Sequence, residues 1–334
     1  MNREVIIKRN KLYSSIRKYF CDRDFIQVET AILQLSPGLD RYTRPMAVVL
    51  NQPLNDISLQ RYLHTSPEFA MKRILINGEK KIFQICKAFR DRENSKIHHP
   101  EFSILEWYSI NSDYKVLGYE VKELIRLSAE ELKVNELSFG GKIVPVTSSW
   151  TEISISDAFK RFAEFDIFDT IDHPLNPSTK YIKPEAHKIG LNFHPSDNWE
   201  DIYHKLMIEI IEPKIAELGL VIVYDYPVCL GSAAKRINDK VCERLEVYIA
   251  GLELANGCSE LLGADKNLSN FEINQKFNEK IFKEIIPIDI ALVKELKELP
   301  ECAGIALGID RLLMLFTGSK NIKEVIYSEV NLEA

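Results

Sequence analysis

The sequence predicts an α+β fold, an antiparallel β-sheet flanked by helices, and three stretches carry the prediction. The first is FQICKAFRDRENSKIHHPEFSILEWY, residues 83–108. An apolar strand (Phe83, Ile85) runs to Arg90, breaks into a charged loop and returns through Pro100 as a second strand (Phe102, Ile104, Trp107). The second is RLEVYIAGLELANGCSE, residues 244–260, which starts as a strand with Glu246 and Tyr248 on one face and Leu245, Val247 and Ile249 on the other. The third is CAGIALGIDRLLMLF, residues 302–316, where small residues lead into an apolar helix opened by Asp310-Arg311.

The remaining elements follow from spacing and punctuation. Leu12, Ile16, Tyr19 and Phe20 recur at helical intervals, so residues 1–21 read as one amphipathic helix, and Phe25 to Thr30 alternate as a strand. Residues 33–56 read as loop, with Pro37-Gly38, Pro45 and Pro53 as turn signals. In Thr65-Ser66-Pro67-Glu68, Ser66 is the expected N-cap and Pro67 the first helical residue of the FAMKRIL helix. Tyr114 to Leu132 is an amphipathic helix, and Ser148 to Thr151 opens the next. Residues 162–196 turn to His, Pro, Asp and Asn, which reads as a surface excursion rather than a second core. Asp197 with Glu200 resembles a capping box for a helix ending at Gly219, and the β-branched run Leu220 to Tyr224 is a strand ending at Pro227. The whole, residues 1–334, reads as a single domain with a helical excursion at about 150–219.

Composition narrows the function classes. With 334 residues, 46% hydrophobic and 28% charged, the chain is long enough for a large core and shows no disordered tract. It has 43 Lys and Arg against 49 Asp and Glu, so no overall field draws nucleic acid. The N-terminus lacks a signal-peptide core and no later run is long enough to span a bilayer, so a cytoplasmic protein without a membrane partner is expected. Six cysteines without a CxxC pair suggest reduced thiols rather than disulfides or zinc.

The charged residues group by chemistry. A hairpin in the register of residues 83–108 brings Arg90, Glu106 and Tyr108 together, a set suited to a small ligand carrying both signs of charge. Glu68 at a helix start is a capping residue that could also hold an ammonium. Glu253 lies seven residues beyond Glu246, an odd offset, so a bulge or twist near Gly251 is needed to bring both to one site. With Asn256 and Glu260 beside them, these carboxylates need a cation or donors if buried. Gly308 before a helix with Arg311 in its first turn is an anion-binding arrangement.

Taken together, these stretches resemble the signature motifs of class II aminoacyl-tRNA synthetases. FRDRE…HHPEF…LEWY resembles motif 2, GIALGIDR resembles motif 3, and VET resembles motif 1 with Ala31 in place of the usual proline. TSPE and GLELANGCSEL are similar to the lysine-specific branch. The chain opens almost on the motif 1 helix, leaving no room for an anticodon-binding domain. It therefore resembles the elongation factor P–(R)-β-lysine ligases, truncated lysyl-tRNA synthetase paralogues, to which TSPEFAMKR, LEWY and Ala306 are closest.

That resemblance implies ATP and Mg2+ as cofactors, a homodimer formed through residues 12–30, and transfer of activated lysine or (R)-β-lysine to a lysine of elongation factor P, with tRNA not expected as acceptor. It implies that Arg90 contacts the α-phosphate and the substrate carboxylate, and that Arg311 holds the γ-phosphate, as the catalytic pair. Asp91, Arg92, Glu93, His99, Glu253, Leu254 and Gly308 complete the implied ATP site, and Glu246 and Glu253 are the implied magnesium ligands. Ser66, Pro67, Glu68, Glu106, Tyr108, Asn256, Glu260 and Ala306 form the implied substrate site, with Glu68 on the amino group and Glu106, Tyr108 and Glu260 around the side-chain ammonium. The chain departs from the pattern at Arg92, where relatives carry a glutamate, at His99, where asparagine is usual, and at Gly263, where an acid is usual. A stand-alone adenylate synthetase acting on tRNA or a small amine, and an inactive lysine-binding regulator, remain as alternative readings.

Overall fold

The computed structural model describes residues 2–51, 58–231 and 233–327; Pro53, read as a turn, lies outside them. Helix α1 (Arg3–Cys21) is capped by Asn2, whose side chain accepts from the Val5 amide, and it buries Leu12, Ile16, Tyr19 and Phe20 as the spacing predicts. Strand β1 shrinks to Ile26–Gln27. Residues 33–56, read as loop, instead contribute β2 (Leu33–Gln34) and β3 (Met46–Asn51), which with β4 (Ser58–Leu63) make a three-stranded sheet in the order β2-β4-β3. The reason for the miss is exposure: β3 is mostly solvent-facing, with Val49 63% exposed, so it lacks the apolar alternation of a half-buried strand.

Helix α2 (Glu68–Ile76) starts one residue later than expected, with Pro67 as its cap, and β5 (Lys81–Phe89) and β6 (Glu101–Ile110) form the organising hairpin. Helix α3 (Tyr114–Leu132) has the predicted bounds. The hairpin β7 (Glu136–Phe139) and β8 (Lys142–Pro145) had no counterpart in the sequence reading. Residues 148–151 do not open a helix; β9 (Thr151–Ser154) intervenes, and Ser154 caps α4 (Ile155–Ala163).

The excursion holds α5 (Ile182–Lys188), α6 (Trp199–Leu206), a π-helical turn Met207–Ile211 and α7 (Glu212–Leu218). Its capping box is Asn198 with Asp201, one residue beyond the predicted pair. It is not merely a surface feature: Phe159, Ile167, Ile182, Trp199 and Tyr203 pack into a second apolar core, with Tyr203 stacked between Phe159 and Trp199. These residues are interleaved with polar ones, so the composition hides them.

Strands β10 (Leu220–Pro227), β11 (Val241–Ile249) and β12 (Leu252–Ser259) precede α8 (Ala264–Phe282) and α9 (Ile290–Glu295), and β13 (Cys302–Gly308) runs into α10 (Ile309–Thr317). The main sheet has the order β1-β5-β6-β13-β12-β11-β10-β9. Its six central strands pair antiparallel, as predicted, while β1 and β9 add parallel edges. Between β11 and β12 the chain makes a tight turn, not only a bulge. Ala250 and Gly251 both take positive φ, and a Cβ on Gly251 would meet Ala216 at 2.6 Å.

One face of this sheet packs on α1, α3 and α10 in the largest core, around Leu105, Trp107, Val247 and Ile305. A buried ion pair ties three of its parts. Arg9 of α1 donates to Asp310 Oδ1 at 2.5 Å and to the Val325 carbonyl at 2.7 Å, while Asp310 Oδ2 accepts the Ser103 amide of β6 at 2.6 Å.

Gly304 of β13 lies beneath the Tyr108 ring, and a Cβ there would come within 2.0 Å of it. Tyr108 is buried in a strand and cannot swing clear. Gly304→Ala is therefore expected to destabilise the protein by about 1–3 kcal/mol, the usual cost of overpacking. Urea unfolding checks it; a midpoint equal to wild type would mean that the ring has room.

Candidate active site

The strand register builds the site floor. Glu246, Asn256, Ala306, Glu106 and Gln84 are successive cross-strand neighbours on β11, β12, β13, β6 and β5. Two residues along each strand, Arg244, Cys258, Gly304, Tyr108 and Ile82 form a second row. Cross-strand partners face the same way and residues two apart share a face, so both rows lie on the side opposite the large core. Ala306, small and central, leaves the middle of the first row low.

At one end of this floor is a cavity of about 200 Å³ lined by Arg90, Glu93, His99, Glu253, Leu254, Asn256, Ala306, Gly308 and Arg311. Arg90, just after β5, lies over the Phe102 ring at 5.1 Å, with Nε donating to the Thr65 carbonyl at 3.4 Å and Nη1 3.8 Å from Glu93. The residue lines the cavity. Arg311, in the first turn of α10, donates to the Glu253 carbonyl at 2.8 Å, to His98 Nε2 at 2.7 Å and to the Ile97 carbonyl at 3.3 Å. Burial and the Arg311 charge lower the His98 pKa, so His98 is a neutral acceptor for that guanidinium. A Cβ on Gly308 would meet only Arg311, at 3.6 Å, so the backbone there is open to the cavity.

The two carboxylates read as metal ligands share a face, because the β11–β12 turn sets Glu253 opposite Tyr248 and the register shift after Val247 brings Glu246 opposite Asn256. Their surroundings differ. Glu246 accepts from Arg244 (2.6 Å) and Asn256 (3.3 Å) on Oε1 and from the Tyr226 and Tyr248 hydroxyls (2.7 and 2.6 Å) on Oε2, which uses its acceptor positions. Among the described residues the Glu253 carboxylate meets only Arg311, at 3.6 Å, and burial, then the Glu246 charge, raise its pKa. Glu253 thus offers the open carboxylate, and Glu246 would have to exchange a donor to join it.

The other end of the floor is acidic. Glu106 is 2% exposed and accepts from Ser66 Oγ at 2.8 Å and the Tyr108 hydroxyl at 2.7 Å. Burial, then the nearby Glu68 charge, push its pKa up to about 8. Glu260 is pushed up to about 7 by burial, against the pull of Lys72. Lys72, one turn along α2 from Glu68, bridges Glu68 Oε1 and Glu260 Oε2 at 2.6 Å each. Burial disfavours its charge, but Glu260 and Glu68 more than compensate and hold it as ammonium. Pro67 is buried at the helix start, and Ser66 Oγ also accepts the Glu68 amide.

Two sequence-predicted residues lie apart from this arrangement. Asp91 pairs with Arg44 at 3.2 Å, and Arg92 is exposed with φ +66°. His99 borders the cavity, with its Nδ1 turned onto the backbone of Glu101. The sequence reading missed Lys72, His98, Arg244 and the tyrosine pair 226 and 248. Lys72 left a local signal in its four-residue offset from Glu68 on one helix face, and Arg244 and Tyr248 left one in standing two residues either side of Glu246 on one strand face.

The raised Glu106 pKa has a consequence for stability. The folded protein keeps this proton between the unfolded value of 4.5 and about 8, so stability should fall as pH rises through that window. Melting of the ligand-free protein between pH 5.5 and 8.5 is expected to decline less steeply in Glu106→Gln than in wild type; equal slopes would mean that Glu106 is already ionised.

A family model described as tRNA synthetases class II (D, K and N) matches residues 1–328. Among curated proteins, the chain is similar to the elongation factor P–(R)-β-lysine ligase of Haemophilus ducreyi, at 31% identity over 97% of this chain and 93% of the relative. It is 33% identical to the proteins of the same name from Pectobacterium carotovorum and Yersinia enterocolitica, each over 96% of this chain and 93% of the relative. With the motif 2 hairpin, the antiparallel floor and the motif 3 strand and helix in one sheet, the chain belongs to the class II aminoacyl-tRNA synthetase family.

Proposed function

We propose that this chain is an AMP-forming ligase that activates lysine or (R)-β-lysine with ATP and transfers it to a lysine of elongation factor P. The observation that carries the reading is the pairing of two ends on one floor: guanidiniums at Arg90 and Arg311, and a buried carboxyl, Glu106, that has hydroxyl donors but no cation of its own. A substrate with an anionic head and a distal ammonium fits both. The names of the similar ligases favour elongation factor P as acceptor.

In this reading the substrate carboxylate and the α-phosphate meet at Arg90, and Arg311 takes the terminal phosphate by giving up His98. Both guanidiniums are held before substrate arrives, so they stabilise the charge that develops on phosphate oxygen with little reorganisation. Glu106 loses its proton when the distal ammonium enters, and Ser66 and Tyr108 then donate to the carboxylate they already touch. Mg2+, when bound, supplies charge neutralisation on the triphosphate; Glu253 is the residue proposed to hold it, since one carboxylate with phosphate oxygens and water satisfies that ion. The acceptor amine is delivered to the acyl-adenylate across the open side of the cleft. All six cysteines are unpaired, in keeping with a reducing cytoplasm.

The test is mass spectrometry of elongation factor P incubated with the chain, ATP and each lysine isomer. One lysyl mass on the factor is expected, with weak or no charging of tRNA; charging of tRNA while the factor gains no mass would overturn the assignment. Arg311→Ala should cut lysine-dependent ATP–pyrophosphate exchange by about a hundredfold or more, the effect of losing one electrostatic stabiliser. Exchange at the wild-type rate would remove Arg311 from the reaction.

We further propose a homodimer through α1 and β1, supported by the exposure of Ile6, Ile7 and Ile26 (52, 45 and 51%) on those elements. Sedimentation at micromolar concentration is expected to give a dimer, and a monomer would exclude this face as the interface.

A further inference from the structure

The amino group next to the substrate's carboxylate has no adequate partner if Glu68 is its only anion. Glu68 already holds Lys72 at 2.6 Å, and that ammonium is shared with Glu260. One ammonium shared by two carboxylates offsets only part of the charge on each, so Glu68 pulls on a second cation with less than a full charge.

A further carboxylate stands at the same end, on a segment that reads as loop. Asp40 lies between residues that are tied down on both sides. The Thr65 amide and hydroxyl donate to the Pro37 carbonyl (3.2 and 2.7 Å), and Leu39 is 3% exposed in the core. Asn278 donates to the Asp40 carbonyl at 3.0 Å, Arg41 pairs with Glu200 at 2.5 Å and donates to Asn274 at 3.0 Å, and Tyr42 donates to Asp201 at 2.8 Å. Among the described residues, the Asp40 carboxylate itself has neither a hydrogen bond nor an ion pair. The side chain is exposed. Thr65, which holds the Pro37 carbonyl, also accepts Arg90 Nε on its own carbonyl at 3.4 Å and directly precedes Ser66 and the start of α2, so the Pro37–Asp40 segment lies beside the arginine that lines the cavity and the helix start that carries Glu68. Glu68, Arg90, Arg244 and Lys72 are the charges that act on the Asp40 carboxylate.

We propose that Asp40 and Glu68 together hold the amino group adjacent to the substrate's carboxylate, Asp40 supplying the net charge that Lys72 withdraws from Glu68. The inference rests on the lysine-activation reading and adds to it a specificity-determining residue. Its consequence is chemical selection: a substrate must carry an amine near its carboxylate as well as one at its far end.

Lysine and (R)-β-lysine lose that amine to give the same compound, 6-aminohexanoate, which keeps the carboxylate and the distal ammonium. Binding of each of the three, and of ATP, is measured by calorimetry on the full chain, as wild type, Asp40→Asn and Asp40→Glu. Asp40→Asn should weaken the better-bound lysine isomer about tenfold, equivalent to roughly 1.4 kcal/mol. It should change 6-aminohexanoate less than about twofold on the same scale and leave ATP unchanged, while Asp40→Glu retains part of the preference. Intact ATP binding shows that the variant is folded. Loss of affinity for lysine and 6-aminohexanoate alike, or for neither, would overturn the role of Asp40 alone. Wild type that binds neither lysine isomer would overturn the lysine-activation reading, and the inference with it.

Discussion

Among the described residues, the buried Glu106 carboxyl has hydroxyl donors and no ion pair, Lys72 acting on it only from a distance, and much of the structure is arranged around that fact. Its two oxygens meet Ser66 and Tyr108, which come from the start of α2 and from its own strand. Gly304 is bare because Tyr108 must lie flat over β13, and Ala306 is small because Glu106 and Asn256 flank it across the sheet. Hydroxyl donors alone do not compensate for burial, which is why the group keeps a proton near neutrality. The free protein thus stores an electrostatic deficit that an ammonium can fill.

The same logic separates the two ends of the cleft. At the acidic end, Lys72 satisfies two of the carboxylates internally and leaves the third short of charge. At the other end, the guanidiniums donate to neutral acceptors, backbone carbonyls and His98, while the carboxylates of Glu93 and Glu253 stand farther off, at 3.8 and 3.6 Å. The cleft thus carries guanidiniums at the cavity end and carboxyls at the far pocket. An elongated ligand with opposite charges at its ends has one orientation in it.

Much of this was legible in the sequence where a short-range pattern coincided with a long-range one. The hairpin of residues 83–108 could be read from alternation, and its register puts Arg90 on the face of Glu106 and Tyr108, but not near them as expected: Arg90 follows the Phe89–Glu101 pair at the loop end, whereas Glu106 and Tyr108 pair with Gln84 and Ile82 toward the other end. The α3 helix was legible because its apolar stripe is complete, from Tyr114 to Leu132. What escaped was decided by distant partners. Lys72 acquires its role from Glu260, far along the chain, and Arg244 from Glu246 and Asn256 across a turn whose tightness the sequence did not reveal. The offset between Glu246 and Glu253 signalled that something must happen near Gly251, but not that the strand reverses there. The second core escaped for a different reason: the apolar stripes of α4 (Ile155, Ala158, Phe159) and α6 (Trp199, Ile202, Tyr203, Leu206) are separated by a long stretch of His, Pro, Asp and Asn, and that stretch dominates the composition between them.

The Arg9–Asp310 pair has a bearing on how the molecule could be controlled. Asp310 sits immediately before Arg311 and is fixed by a cation from α1 on one oxygen and by a β6 amide on the other. The outer surface of α1 carries Ile6 and Ile7, the apolar positions most available to a neighbouring subunit. The helix that would feel a partner is therefore also the helix that steadies the residue next to the phosphate-binding arginine. In the proposed dimer, assembly and reactivity would share one strut, and a displacement of α1 by a helical step would move the anion end with it.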